Sequence, residues 1–225
     1  MTPPKEKRSI DFTPYSAVIF DLDGTLVHSE HVWEAAKVDV ARRYGLVPSR
    51  ALLDAHVGRG LPGFFDELFG QSLPTLRHRE ISDQIDEVAD RLMPSMREPI
   101  PGARDLLCAL HDEGLRIAIC SSSPRRHIAQ ALEMLEITHL IEAVVSGAEL
   151  LRGKPDPLPF STALDILKLA PAAACAFEDS LHGARSAHAA GIAVFAVGTG
   201  CSGPEFAFCH AQAESFRNWI ETHRQ

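Results

Sequence analysis

The sequence predicts an α/β fold, a parallel sheet core carrying an inserted helical segment. Two observations point to it. Short continuous apolar runs alternate with amphipathic segments over most of the chain, the pattern of strands buried on both faces and joined by helices. Between the first and second runs, residues 32–98 show helical patterns only, over a length no crossover connection needs.

The elements follow in order. Residues 1–15 read as a polar tail. Ala17, Val18, Ile19 and Phe20 form the first strand, which stops abruptly at Asp21-Leu22-Asp23-Gly24-Thr25. In the insert, Trp33, Ala36, Lys37, Val40 and Tyr44 recur at helical spacing before Gly45. Leu76, Ile81, Ile85, Val88, Leu92 and Met96 do the same in a longer helix. Pro99-Ile100-Pro101-Gly102 reads as the return hinge. The core therefore comprises 16–31 and 99–225, and the helical cap 32–98. Further strands are expected at 116–120, 143–145, 174–177 and 193–197. The helices between them place Leu106, Leu107 and Leu110 on one face, then span 125–135, 158–169 and 182–190; Gly114 and Gly191 end the first and last.

Composition narrows the function. Apolar residues at 45% and charged residues at 23% are those of a folded domain, which sets aside disorder and fibrous classes. A net charge of −8 argues against a nucleic-acid footprint and is compatible with binding a divalent cation. The five cysteines are scattered and form no C-x-x-C pair, so reduced and mostly buried thiols are expected. No apolar run of signal-peptide length opens the chain, and no run reaches the roughly 18 residues of a membrane span, so a cytoplasmic protein with no membrane partner is expected.

Ligands in open parallel sheets bind outside the carboxyl ends of the strands, so the residues just after each apolar run carry the chemistry. Asp21 and Asp23, two apart, point the same way from an extended segment, and Gly24 lets the chain turn close to a ligand. Ser121, Ser122 and Ser123 offer hydroxyls and N–H groups at the start of a helix, a cradle for a phosphate oxygen or a plain helix cap. Lys154, flanked by Gly153 and Pro155, is a fixed positive charge for a phosphoryl group. Glu178 and Asp179 form a second acidic pair at a strand end. Two such pairs brought together repel unless a cation lies between them, and oxygen-only ligation suits magnesium.

In this order, D-L-D-G-T, S-S-S, K-P and E-D-S resemble the four signature motifs of the haloacid dehalogenase superfamily, over residues 17–198. The resemblance implies a Rossmann-like core and an aspartyl-phosphate mechanism. By match, Asp21 is the nucleophile, and Asp23 is the general acid and base whose backbone carbonyl joins the metal. Ser121, Ser122 and Lys154 hold the phosphoryl group. Asp179 ligates Mg²⁺ with Glu178 beside it or one water away, so the metal set is Asp21, Asp23, Glu178 and Asp179. The insert resembles the helical cap of the β-phosphoglucomutase-like subfamily. Arg59, between two glycines, and Arg125, after the serine loop, are its substrate-contact candidates. Two positions depart from the pattern: His28 replaces an acidic residue, and Trp33 stands where the mutases carry histidine.

The expected activity is Mg-dependent hydrolysis of a small phosphorylated metabolite by a monomer or weak dimer. The alternatives are a phosphosugar mutase and a catalytically silent phospho-ligand-binding module. Asp23 argues against a dehalogenase. Lys37, the insert's lysine, sits at the wrong end of it for the Schiff base of a phosphonate hydrolase.

Overall fold

The structure is a computed structural model that describes residues 11–56, 61–217 and 219. The core strands are β1 (Ala17–Phe20), β4 (Arg116–Ser121), β5 (Ile141–Ser146), β6 (Ala174–Glu178), β7 (Ala193–Val197) and β8 (Ala211–Ala213). They form one six-stranded sheet in the order β5-β4-β1-β6-β7-β8, with every pairing parallel. The chain leaves β1 toward β4 on one side and later returns to β6 on the other. The carboxyl end of β1 is thus the switch point where a parallel sheet opens a crevice.

Side chains alternate across β1 and divide the core. Val18 and Phe20 face a layer rich in aromatic rings, where Phe20 stacks on Phe177 at 5.1 Å and Phe177 on Phe195 at 5.5 Å. Helices α5 (Ala103–Asp112) and α6 (Arg125–Met134) cover that face. Ala17 and Ile19 face the other layer, where Ala118, Ala143, Ala174 and Ala176 are small enough for α7 (Leu158–Leu167) and α8 (Leu181–Ala189) to lie close to the sheet. Phe12 corrects the reading of 1–15 as a wholly polar tail: it is buried against Phe177 and Phe195, so the described end of that segment belongs to the core. β8 was not foreseen either. Ala211-Gln212-Ala213 is three residues long at the sheet edge and has no apolar run to announce it.

The insert contains α1 (Glu30–Arg43), α2 (Arg50–Ala55), α3 (Leu61–Phe69) and α4 (Thr75–Met96), with a core of its own built on Val32, Val40, Phe64, Phe65, Ile81 and Ile85. Leu76, placed on the apolar stripe of α4 by its spacing, is instead 71% exposed in the first turn, before α4 reaches α1. The chain enters and leaves this unit through two short strands, β2 (Val27–His28) and β3 (Glu98–Pro99), paired antiparallel. This ribbon, absent from the sequence reading, holds the two crossings side by side. Among the described residues no helix is long and apolar enough to cross a membrane. All five cysteines are unpaired, and Cys120, Cys175 and Cys201 are buried.

Candidate active site

The carboxyl ends of β1, β4 and β6 meet at the switch point, and the four motifs meet with them. Asp21 follows β1 and is buried; its backbone N–H donates to the Phe177 carbonyl at 3.0 Å, which fixes its position against β6. Lys154 is buried beside it. Its Nζ donates to Asp21 Oδ1 at 2.5 Å, to Glu178 Oε1 at 2.5 Å and to the Cys120 carbonyl at 3.0 Å, so three strand ends hold one ammonium. Glu178 is fully buried and its other oxygen is also taken: Oε2 accepts from the Ser180 N–H at 3.1 Å and the Ser180 hydroxyl at 3.0 Å. Ser180 in turn caps α8 by accepting from Gly183 N–H.

Asp179 is held by the Thr25 hydroxyl, which donates to Oδ1 at 3.0 Å. Gly24 has a φ of +92°, and a Cβ placed there would lie 2.0 Å from Asp179 Oδ2. The glycine therefore serves both the left-handed turn and the close approach of that carboxylate. Asp23 turns away from this group. Its Oδ2 accepts from Ser121 Oγ at 3.0 Å and Ser123 Oγ at 2.6 Å, and its Oδ1 accepts from the Ser29 hydroxyl and from Trp33 Nε1 at 3.3 Å.

The acids and Lys154 do not balance. Burial pushes the Asp21 carboxyl up to about 8; Lys154 opposes this, while Glu178 and Asp23 add to it. Burial also raises Asp179 well above the usual carboxylate range, with Asp21 and Glu178 contributing. Lys154 goes well above its ordinary value, because Asp21 and Glu178 outweigh the burial that would lower it. Carboxylate oxygens of Asp21, Glu178 and Asp179 lie within 4.8 Å of one another, and among the described residues no thiol or imidazole joins them. Oxygen donors this close, each disfavoured as an anion by the others, fit a hard divalent cation.

The sequence model of the haloacid dehalogenase-like hydrolases matches residues 18–197, which span all four motifs. The chain belongs to that family. Among its relatives, validoxylamine A 7'-phosphate phosphatase of Streptomyces hygroscopicus subsp. limoneus is 32% identical over 187 residues, 82% of this chain and 85% of that protein. β-Phosphoglucomutase of Bacillus subtilis is 31% identical over 201 residues, 84% of each chain. The solved structure of CbbY from Rhodobacter sphaeroides in complex with phosphate has the same fold, with a TM-score of 0.79 at 23% identity over 90% of this chain and 95% of that one.

In this haloacid dehalogenase-like hydrolase a cavity of about 430 Å³ lies between core and insert. Asp21, Asp23, Ser122, Ser123 and Ser180 line its core side. Ser121 is buried beneath, with its hydroxyl on Asp23 and accepting from the Ser123 N–H. Arg125 is not brought to the cavity. It lies half exposed in an ion pair with Glu149 at 2.7 Å, which satisfies its guanidinium at the surface. Arg59 lies outside the described residues. Asp23 is likewise outside the carboxylate cluster, which leaves only its backbone carbonyl for a metal. Lys37 corrects the sequence reading in the other direction: it is buried and lines the cavity, because α1 lays it along the wall one turn beyond Trp33. A lysine on an otherwise apolar stripe was the available signal. Thr25 was visible as the last residue of D-L-D-G-T, though not its hold on Asp179; Ser29 and Glu30 were missed, since nothing in their local pattern separates them from ordinary turn and cap residues.

Two expectations follow directly. Gly183→Ala would place a Cβ 1.6 Å from Glu178 Oε1, and that carboxylate cannot withdraw without leaving Lys154 or Ser180. We expect a lower Tm and a raised Mg²⁺ requirement for turnover; an unchanged value of both would show that Glu178 is not fixed by these contacts. The second concerns pH. Asp21 has an ordinary value of 3.8 and a folded value of about 8, so the folded chain binds its proton more tightly than the unfolded chain. The stability this gives is complete below about 4 and lost as pH rises through 8. In excess chelator Tm should therefore fall from pH 5 to pH 8, and Asp21→Asn should flatten the fall; an equal slope in both proteins would contradict it.

Proposed function

We propose that the protein is a magnesium-dependent phosphatase that hydrolyses a small phosphorylated metabolite, a sugar phosphate or similar phosphomonoester, through a phosphorylated Asp21. The observation that carries this is a buried carboxylate with one oxygen fixed by Lys154, facing a cavity large enough for a leaving group, with Asp23 two residues away.

Asp21 attacks phosphorus in line and the leaving oxygen takes a proton from Asp23, which then accepts a proton from the water that hydrolyses the acyl phosphate. The four hydrogen-bond donors on Asp23 set its orientation for both transfers. Lys154 and the hydroxyls and N–H groups of the serine loop meet the charge on the transferring oxygens. Magnesium at Asp21, Asp179 and the Asp23 carbonyl, with Glu178 behind them, would screen the carboxylate from the phosphate dianion. The insert covers the crevice as a cap, keeping bulk water from the reaction.

Hydrolysis is preferred to mutase chemistry because of Trp33. Its indole is a donor only and cannot exchange a proton near neutrality, where an imidazole can. It donates to Asp23 and sets its ring edge-on to His127 at 5.0 Å. Relatives of both kinds exist, a phosphatase and a β-phosphoglucomutase. The test is Mg²⁺-dependent phosphate release over a panel of phosphorylated metabolites, with β-glucose 1-phosphate plus a catalytic amount of the 1,6-bisphosphate included. Phosphate release that stops in excess chelator is the expected result. Rapid formation of glucose 6-phosphate with little free phosphate would overturn it in favour of the mutase.

A further inference from the structure

The mechanism uses the core side of the cavity and, on its cap side, Trp33 alone. That side is lined by Glu30, Trp33 and Lys37 of α1 and by Asp83 and Asp86 of α4. Lys37 is 7% exposed, and among the described residues no hydrogen bond or ion pair holds its ammonium; its Nζ lies 5.4 Å from the centre of the Phe64 ring. The stem of Lys37 is buried while its ammonium opens on the cavity, where a ligand oxygen can reach it. Burial lowers its pKa, while the nearby carboxylates of Glu30 and Glu34 raise it.

The acids around Lys37 decide what kind of oxygen that is. Glu30 and Lys37 share the cavity face of α1, two turns apart, with Asp83 and Asp86 across from them. Asp86 is paired with Arg126 at 3.2 Å, but Glu30 and Asp83 are in no ion pair among the described residues. A leaving group with a second phosphate or a carboxylate would bring another anion against a wall whose described residues hold more acids than Lys37 offsets. A hydroxyl-rich leaving group meets no such conflict. It accepts from Lys37 and donates to Glu30 and Asp83, and a carboxyl like that of Glu30, pushed by burial to about 7, can pair with a hydroxyl whether ionised or not.

We infer that Lys37 and Glu30, with Asp83 facing them, form the subsite for the leaving group, and that it takes a neutral or amine-bearing polyol in preference to one with a second anionic group. The inference rests on the phosphatase reading and names the substrate class for that same site. Discrimination of this kind is strong because a site built to hydrogen-bond hydroxyls leaves buried groups unpaired when they are missing.

The test compares kcat/KM for sorbitol 6-phosphate, 2-phosphoglycolate and phenyl phosphate in the wild type, in Lys37→Met, which keeps the bulk against Phe64, and in Glu30→Gln. We expect the wild type to prefer sorbitol 6-phosphate to 2-phosphoglycolate by at least about tenfold. Lys37→Met should lower the ratio of sorbitol 6-phosphate to phenyl phosphate by a similar factor. Glu30→Gln should narrow the preference against 2-phosphoglycolate, and it reads the same wall should Lys37→Met fail to fold. A wild-type preference for 2-phosphoglycolate, or a ratio moved less than about twofold by both variants, overturns the inference. Should the wild type hydrolyse none of the three esters, the wider phosphate-release panel decides the phosphatase reading and binding alone decides the subsite. Calorimetric binding of sorbitol 6-phosphate and 2-phosphoglycolate to the same three proteins then reads the subsite alone, with the same preference expected and the reverse preference overturning it.

Discussion

Asp21→Asn is expected to lower turnover by at least about 10⁴-fold, equivalent to about 5.5 kcal/mol of barrier, while the chain still folds. The amide matches the carboxylate in shape but cannot form the acyl phosphate. The fold should survive because Lys154 keeps Glu178 Oε1 and the Cys120 carbonyl as partners. Removing a buried carboxylate whose ionised form is disfavoured also relieves repulsion from Glu178 and Asp23, so Tm in excess chelator should be equal to or above that of the wild type. Steady-state phosphate release and a thermal melt on one preparation read both. Residual turnover within about a hundredfold of the wild type would mean that water attacks phosphorus directly.

Lys154→Met should cost both turnover and stability. It removes the ammonium that Asp21 and Glu178 share at 2.5 Å each and leaves two buried carboxylates facing one another. Breaking a buried pair by deleting one partner costs about 3–5 kcal/mol, because the remaining charge stays desolvated and unpaired. The loss should be largest near pH 8 without magnesium and shrink toward pH 5, where Asp21, with its raised pKa, takes up a proton. Urea unfolding in excess chelator at the two pH values measures it. A loss below about 1 kcal/mol at pH 8 would show that the carboxylates find water once the lysine is gone.

Much of this was legible in the sequence where a local pattern has one physical reading. The run Ala17, Val18, Ile19, Phe20 stops at Asp21 because a strand buried on both faces ends where the chain reaches the crevice, and the same logic located Ser121 and Glu178, while Lys154 stood out by the stiff loop of Gly153 and Pro155 around it. What stayed hidden depends on distant partners. Phe12 looks like part of a polar tail until Phe177 and Phe195 are beside it. The hinge strands at Val27–His28 and Glu98–Pro99 are too short to show a period. Glycine at 183 has no local signature, since its reason is a carboxylate five residues back and folded over it. Arg125 could be placed beside the serine loop but not oriented, and the choice between cavity and surface was made by Glu149. Lys37 was visible on its stripe, yet only the way α1 lies against the core shows that its side chain reaches the cavity.

The central claim is that the phosphoryl group passes through Asp21 on its way to water. The most direct measurement is the stereochemistry at phosphorus, using a phosphorothioate ester made chiral there with oxygen isotopes, so that the thiophosphate released carries sulfur and three oxygen isotopes and is itself chiral. Two in-line displacements, first by Asp21 and then by water, predict overall retention of configuration; inversion would mean a single displacement and would contradict the account.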